Sequence, residues 1–117
     1  MGTEVYPSLK LFVDAAVVHT FELLPGQHVL GRRDGNEVQL LDNAVSSRHA
    51  LITVLESPDF PGYFDVMLED QGSRNGTRVN GEPVQSHQLE HGDIITVGRT
   101  QLRYSEPGGD ETGDTGI

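Results

Sequence analysis

The apolar residues of this chain come in short runs that alternate at period two, and no stretch keeps a helical period for three turns. Leu9, Leu11 and Val13 alternate with Lys10 and Phe12. Val17, His19, Phe21 and Leu23 then share one predicted face, with Val18, Thr20, Glu22 and Leu24 on the other. Pro25-Gly26 reads as a turn into a new strand over 27–31, and further strands are predicted over 37–41, 49–55, 63–69, 93–97 and 100–105. Residues 58–62 read as a long hairpin loop. Asn75-Gly76 and Asn80-Gly81 are dipeptides that favour positive φ, and both are expected at hairpin tips. Many short strands with frequent turn signals imply an all-β sandwich or barrel.

At 117 residues the chain fits one domain. The pattern places a leader at residues 1–7, a folded domain at 8–105 and a flexible acidic tail at 106–117. That tail holds Pro, Gly, Asp, Glu and Thr with a single apolar residue at its end, too little to offset the entropy of ordering it. With 18 acidic against 8 basic residues the net charge is -10, which argues against nucleic acid and against an anionic membrane surface. No apolar run approaches the ~20 residues that span a bilayer. Cysteine is absent, which removes disulfides, thiolate metal sites and cysteine nucleophiles together. A cytoplasmic location is the default expectation, or a nuclear one in a eukaryote.

Against this acidic background, small and cationic polar residues gather at three junctions between strands. They are Gly31-Arg32, then residues 46–49 (Ser-Ser-Arg-His), then residues 72–76 (Gly-Ser-Arg-Asn-Gly). Loop-borne Arg, Ser, Asn and Gly can converge hydrogen-bond donors on one small anion. Arg32 alone could be a solvated arginine beside Asp34, and Ser46 alone could cap a turn. Ser46, His49 and Asp70 contain the residue types of a hydrolytic triad. Ser46 and His49 stand only three apart at a loop-to-strand boundary, however, so no catalytic role is expected. His87 and His91 have the i, i+4 spacing of helical zinc ligands, but Gly92 and the strand predicted at 93 break any helix. No metal and no cofactor is expected.

Gly31-Arg32, Ser46 fourteen residues later, His49, residues 70–81 (Asp-Gln-Gly-Ser-Arg-Asn-Gly-Thr-Arg-Val-Asn-Gly) and residues 89–98 (Leu-Glu-His-Gly-Asp-Ile-Ile-Thr-Val-Gly) follow one another in the order and spacing of a known family. In these pieces the chain resembles the forkhead-associated (FHA) domain, over roughly residues 9–105. The resemblance implies an eleven-stranded β-sandwich that binds phosphothreonine peptides through loops at one end. By matching position, Arg32 and Ser46 would contact the phosphate, with Ser47 and Arg74 beside it. Asn75 would hold the peptide backbone. Gly31, His49, Gly76, Asn80 and Gly81 would support the loops. Arg74 stands where relatives often carry a short hydroxyl residue, and is expected to reach the phosphate as a second cation.

Physical chemistry points the same way. Phosphothreonine carries about -1.5 to -2 charges and three acceptor oxygens, which suit the planar fork of an arginine and a compact hydroxyl. Backbone N–H groups beside Ser46 are expected to complete the cradle. The implied partners are phosphothreonine-containing proteins or peptides, such as a Ser/Thr kinase or its substrate, met by a monomer or weak homo-oligomer. The rival reading is a phosphorylation-independent interaction or oligomerisation module that uses a sandwich face or edge strand. Thr112 and Thr115, set among acids, are candidate phosphosites through which the tail would fold back into the domain's own pocket or a neighbour's, with a solvating linker as the favoured reading of the same segment.

Overall fold

The computed structural model describes residues 5–108. Among them are eleven β-strands and no helix. They are β1 (Ser8–Val13), β2 (Ala16–Glu22), β3 (Gly26–Gly31), β4 (Val38–Gln39), β5 (Ala50–Glu56), β6 (Phe64–Asp70), β7 (Thr77–Val79), β8 (Glu82–Val84), β9 (Ser86–Gln88), β10 (Ile94–Val97) and β11 (Thr100–Ser105). A six-stranded sheet runs β2-β1-β11-β10-β7-β8, and a five-stranded sheet runs β4-β3-β5-β6-β9. No described helix is long and apolar enough to cross a membrane.

Period-two patterning explains why these segments are strands and which face each buries. In β5, Ala50, Ile52 and Val54 are buried while Leu51 and Thr53 are only half so. Their partners Leu68 and Val66 on β6 are buried as well. From the other sheet, Leu9, Ile95, Val97, Leu102 and Tyr104 join the same core. Each such side chain contributes about 1.5–3 kcal/mol relative to exposure, which is what holds the two sheets face to face.

Some details differ from the sequence reading, and one holds. Strands β7, β8 and β9 have three residues each, too few for alternation to show in the sequence. Asn80-Gly81 does form a two-residue hairpin tip, with φ of 53° and 87° and Val79 paired to Glu82. Asn75-Gly76 does not: it lies on the connection from β6 in one sheet to β7 in the other.

A second tight turn was hidden by its residues. Asp14 and Ala15 take φ of 51° and 69° and join β1 to β2, with no glycine to mark them. A register shift at Leu11/Phe12 also pairs Leu11 with His19 but Phe12 with Val17. Val17 therefore faces the opposite side from His19 and Phe21, not the shared face its spacing suggested.

This topology fixes where the loops go. The 32–37, 40–49 and 71–76 connections and the turn at Gly98-Arg99 emerge at one end of the strands. The first and last strands meet at the other, where Ser8 pairs with Ser105. Of the predicted tail, only 106–108 fall among the described residues, and the Glu106 N–H donates to His91 Nδ1 at 3.0 Å. Thr112 and Thr115 lie outside the described residues.

Candidate functional site

Arg32 follows directly on β3, and its position is set by the glycine before it. A β-carbon at Gly31 would lie 2.1 Å from the Ser47 carbonyl oxygen, so the 40–49 connection can settle there only over a glycine. The settled contact is a short ladder. Arg32 N–H donates to Ser46 O at 3.0 Å and Arg33 N–H to Ser47 O at 3.3 Å. The Asn36 side chain donates to Ser47 O at 2.7 Å. Arg32 Nε donates to the Val45 carbonyl at 3.0 Å, which holds the guanidinium against the loop.

His49 joins this connection to the next one. Its ring is fully buried. Nδ1 accepts the Ser46 N–H at 3.0 Å, and Nε2 lies 2.8 Å from the Gly76 carbonyl oxygen. Because Nδ1 must accept, the proton sits on Nε2 and is donated to Gly76. Neither ring nitrogen is left to act as a base on the Ser46 hydroxyl.

The 71–76 connection is built around Asp70. Its carboxylate accepts the Gly72 and Ser73 N–H groups at 3.0 Å each, the Ser73 hydroxyl at 2.5 Å and the Thr77 hydroxyl at 2.8 Å. Burial works against its charge, but the Ser73 and Thr77 hydrogen bonds prevail and the carboxyl sits below its ordinary range. Asp42 does the same service for the 40–49 connection. It accepts Ala44 N–H at 2.9 Å, Arg99 N–H at 2.8 Å and the Thr100 hydroxyl at 2.8 Å. Its pKa is likewise lowered, again against burial.

The three connections enclose an open concavity of about 200 Å³ lined by Arg32, Asn43, Ala44, Val45, Ser46, Ser47, Arg74 and Asn75. Ser46 Oγ accepts the Arg74 N–H at 3.0 Å, which leaves its own O–H to donate outward. Asn75 Nδ2 donates to the Ala44 carbonyl at 2.8 Å. The structure thus brings together Arg32, Ser46, Ser47, Arg74 and Asn75, with Gly31, His49 and Gly76 beneath them. Asn80 and Gly81 are elsewhere. Asn80 ties the β7–β8 hairpin to β10 by donating to Asp93 and accepting the Ile94 N–H, both at 2.9 Å.

Two backbone donors at the cradle are already spent. The backbone N–H groups of Ser46 and Arg74 are already occupied, so those positions offer side chains to a ligand. Sequence reading also missed Asn36, Asn43 and Asp42, and took Asp70 only as a triad look-alike. An Asp two residues before the Gly-Ser of the loop was the available signal for Asp70, since such a carboxylate can cap the turn that follows.

Charge is sorted at this end. Arg32, Arg33, Arg48, Arg74 and Arg99, five of the 8 basic residues, are exposed on these loops. The neighbouring carboxylates of Asp42 and Asp70 turn to loop donors. That of Glu37 accepts the Val29 N–H at 2.8 Å, the main cause of its lowered pKa. The surface facing solvent is therefore locally cationic in an acidic protein.

The family model for the FHA domain matches residues 28–98, more than half of the chain. This chain belongs to the FHA domain family. Among curated relatives, the FHA domain-containing protein FhaA of Mycobacterium tuberculosis is 35% identical over 95 residues, 81% of this chain and 17% of that protein. The glycogen accumulation regulator GarA of Mycolicibacterium smegmatis is 38% identical over 84 residues, 71% of this chain and 49% of that protein. The chain thus spans at most about half the length of these relatives.

A solved FHA domain, studied for its phosphothreonine-dependent interactions, superposes with a TM-score of 0.73 at 32% identity, covering 86% of this chain and 95% of that one. The FhaA FHA domain, solved in complex with the intracellular domain of Rv3910, gives 0.70 at 34% identity, covering 84% and 98%. The eleven-stranded two-sheet architecture of this FHA domain is the one expected from its sequence.

Proposed function

We propose that this FHA domain binds phosphothreonine-containing peptides or proteins and recruits them in Ser/Thr kinase signalling, with no catalysis of its own. The observation that carries this reading is the convergence of Arg32, Ser46, Arg74 and Asn75, from three separate connections, on one small open concavity. Arg32 and Arg74 supply the cations, Ser46 and Ser47 the hydroxyl donors, and Asn75 an amide that can both donate to and accept from an extended peptide.

A non-catalytic role is supported by His49, whose two ring nitrogens are spent on Ser46 N–H and Gly76 O. Further support comes from the relatives: one solved FHA domain has phosphothreonine-dependent interactions, and that of FhaA is bound to an intracellular domain. A cytoplasmic setting is part of the same reading.

The test is a titration with one peptide prepared with and without phosphate on its threonine. Only the phosphorylated form is expected to bind, and Arg32→Ala weakens it about ten- to a hundredfold while the fold stays intact. Equal binding of both peptide forms would assign the concavity to a phosphorylation-independent contact.

A further inference from the structure

The β5–β6 hairpin closes at the end of the strands opposite the phosphate concavity, because β5 leaves that end at Ala50 and arrives at Glu56. Its tip is tied by its own hydrogen bonds. Ser57 N–H donates to Tyr63 O at 2.8 Å, and Tyr63 N–H donates to Phe60 O at 3.0 Å. Phe60 N–H donates to Ser57 Oγ at 3.2 Å, and Gly62 N–H donates to Glu56 Oε2 at 3.1 Å. What this tip presents is apolar: Leu55, Phe60 and Tyr63 are 62%, 64% and 69% exposed. The Phe60 and Tyr63 rings meet edge to face with centroids 6.1 Å apart. Leu55 pairs with Asp65, two residues from Tyr63, and carries the patch onto the five-stranded sheet. A recess of about 280 Å³ runs from Tyr63 and Phe64 to Glu106 and Pro107. Rings held out this far are not explained by packing within the described chain, whereas Phe64 next to them does pack on the core.

Charge says what would cover them. Of the 8 basic residues, five are on the loops around the phosphate concavity. The other three, Lys10, Arg78 and Arg103, are on strands of the six-stranded sheet. No strand of the five-stranded sheet holds a Lys or Arg. Around the aromatic tip the exposed charges are Glu56, Asp59 and Asp65. Glu106 closes the recess, and burial pushes its carboxyl up, with Glu90 and Asp93 adding to that. An incoming cation relieves such crowding.

We propose that the β5–β6 tip docks an arginine-bearing segment of a partner protein. Its guanidinium groups stack on Phe60 and Tyr63 and pair with the carboxylates around them. Arginine fits better than lysine, because a planar, weakly hydrated cation stacks on a ring and still presents its N–H groups sideways. Aromatic anchors of this kind carry much of the energy in protein interfaces. A second copy of this chain is a poorer occupant. It would have to present its own phosphate loops head to tail, against the repulsion of two bodies of net charge -10. Since the two sites lie at opposite ends, the domain can hold this partner and a phosphorylated one together; that bridging rests on the phosphopeptide reading above.

The test titrates isotope-labelled domain, followed by amide NMR, with a short peptide of alternating Arg and Ser and with its Lys-Ser counterpart. The Arg peptide is expected to move the signals of Phe60, Tyr63 and Asp65, and to bind at least about fivefold more tightly than the Lys peptide. Combining Phe60→Ser with Tyr63→Ser, checked for native circular dichroism, weakens the Arg peptide about tenfold. Asp59→Asn weakens it about two- to threefold. Neither change alters titration with a phosphothreonine peptide, and the two peptides bind without competing.

Equal affinity for the Arg and Lys peptides reduces the attraction to net charge and overturns the inference. Arg-peptide binding that survives loss of both rings overturns it as well, and so do shifts confined to other surfaces. If the double variant does not fold, Asp59→Asn decides, and an unchanged Arg affinity overturns the inference. A wild-type dimer in sedimentation velocity that Tyr63→Ser dissociates gives the tip to a second copy, and overturns it too. A phosphothreonine peptide that fails to bind while the Arg peptide still reaches the tip overturns the phosphopeptide reading and the bridging, and leaves the tip assignment standing.

Discussion

The Ser47 carbonyl oxygen occupies the space that a β-carbon on Gly31 would need, at a separation of 2.1 Å. The atom in the way is backbone, held in turn by Asn36 Nδ2 and Arg33 N–H, so it cannot swing aside as a side chain would. Gly31→Ala is therefore expected to displace the 40–49 connection, at a cost of about 1–3 kcal/mol. Phosphopeptide affinity falls with it, because Arg32 and Ser46 lose their mutual placement. Urea unfolding and a peptide titration on the same sample check both; an unchanged pair of values would mean that the loop does not depend on this contact.

His49 braces two loops from a fully buried position. Truncating it leaves the Ser46 N–H and the Gly76 carbonyl without their partner and opens a cavity between them. His49→Ala is expected to cost about 2–4 kcal/mol. Amide exchange at Ser46 separates this brace from a general packing effect: it should rise much more than exchange in β5.

Asp70 gives a pH dependence whose sign can be worked out. Its folded-state pKa is lowered from the ordinary 3.8 by the Ser73 and Thr77 hydrogen bonds, which prevail over burial. A lowered carboxyl pKa contributes stability that is complete above the unfolded value and lost as pH falls through the folded one. Asp70→Asn is then expected to cost about 1.5–3 kcal/mol at pH 7, and the difference from wild type should shrink below about pH 4. Denaturant midpoints at pH 7 and pH 3 decide it. A gap that stays constant would assign the cost to shape and not to charge.

Ala15 sits at φ 69° in the β1–β2 turn, a region costly for any residue with a β-carbon. A glycine there relieves that cost and loses part of the gain to a freer unfolded chain, so Ala15→Gly should stabilise by about 0.5–1 kcal/mol. Thermal unfolding reads this directly, and a lower melting temperature would contradict it.

The Tyr104 hydroxyl is buried with no hydrogen-bond partner among the described residues. Burial is also the main cause of its strongly raised pKa. Removing that oxygen removes an unmet donor, so Tyr104→Phe should be neutral or stabilising by up to about 1 kcal/mol. A loss of more than that in chemical denaturation would reveal a partner for the hydroxyl.

Much of this was legible in the chain itself, for reasons that also explain the failures. β11 covers the predicted residues 100–105 because its alternation is long and unbroken. β7 to β9 are three residues each, and period two cannot be seen in three residues. Val17 fell on the wrong face because one register shift reverses every assignment before it, and a shift leaves no mark in composition. Asn75-Gly76 reported a positive φ at Gly76 correctly, 82°, but a dipeptide carries no information on whether the strands it joins share a sheet. The grouping of Arg32, Ser46, Arg74 and Asn75 followed from motif order. Which N–H groups were already spent did not, since that depends on contacts 28 residues apart in the chain, such as Arg74 to Ser46.

Arg32 and Asn75 each donate to a carbonyl of the same short stretch, Val45 and Ala44. Both of these residues line the concavity proposed to take an anion, where bare carbonyl dipoles would push a phosphate away. The two side chains satisfy them, and each still has further N–H groups to donate. They also arrive at the encounter with their torsions already restricted, which spares about 0.5–1.5 kcal/mol of ordering per side chain. Association at such a surface needs no loop to form first, so its speed is left to diffusion and to the field of the surrounding arginines.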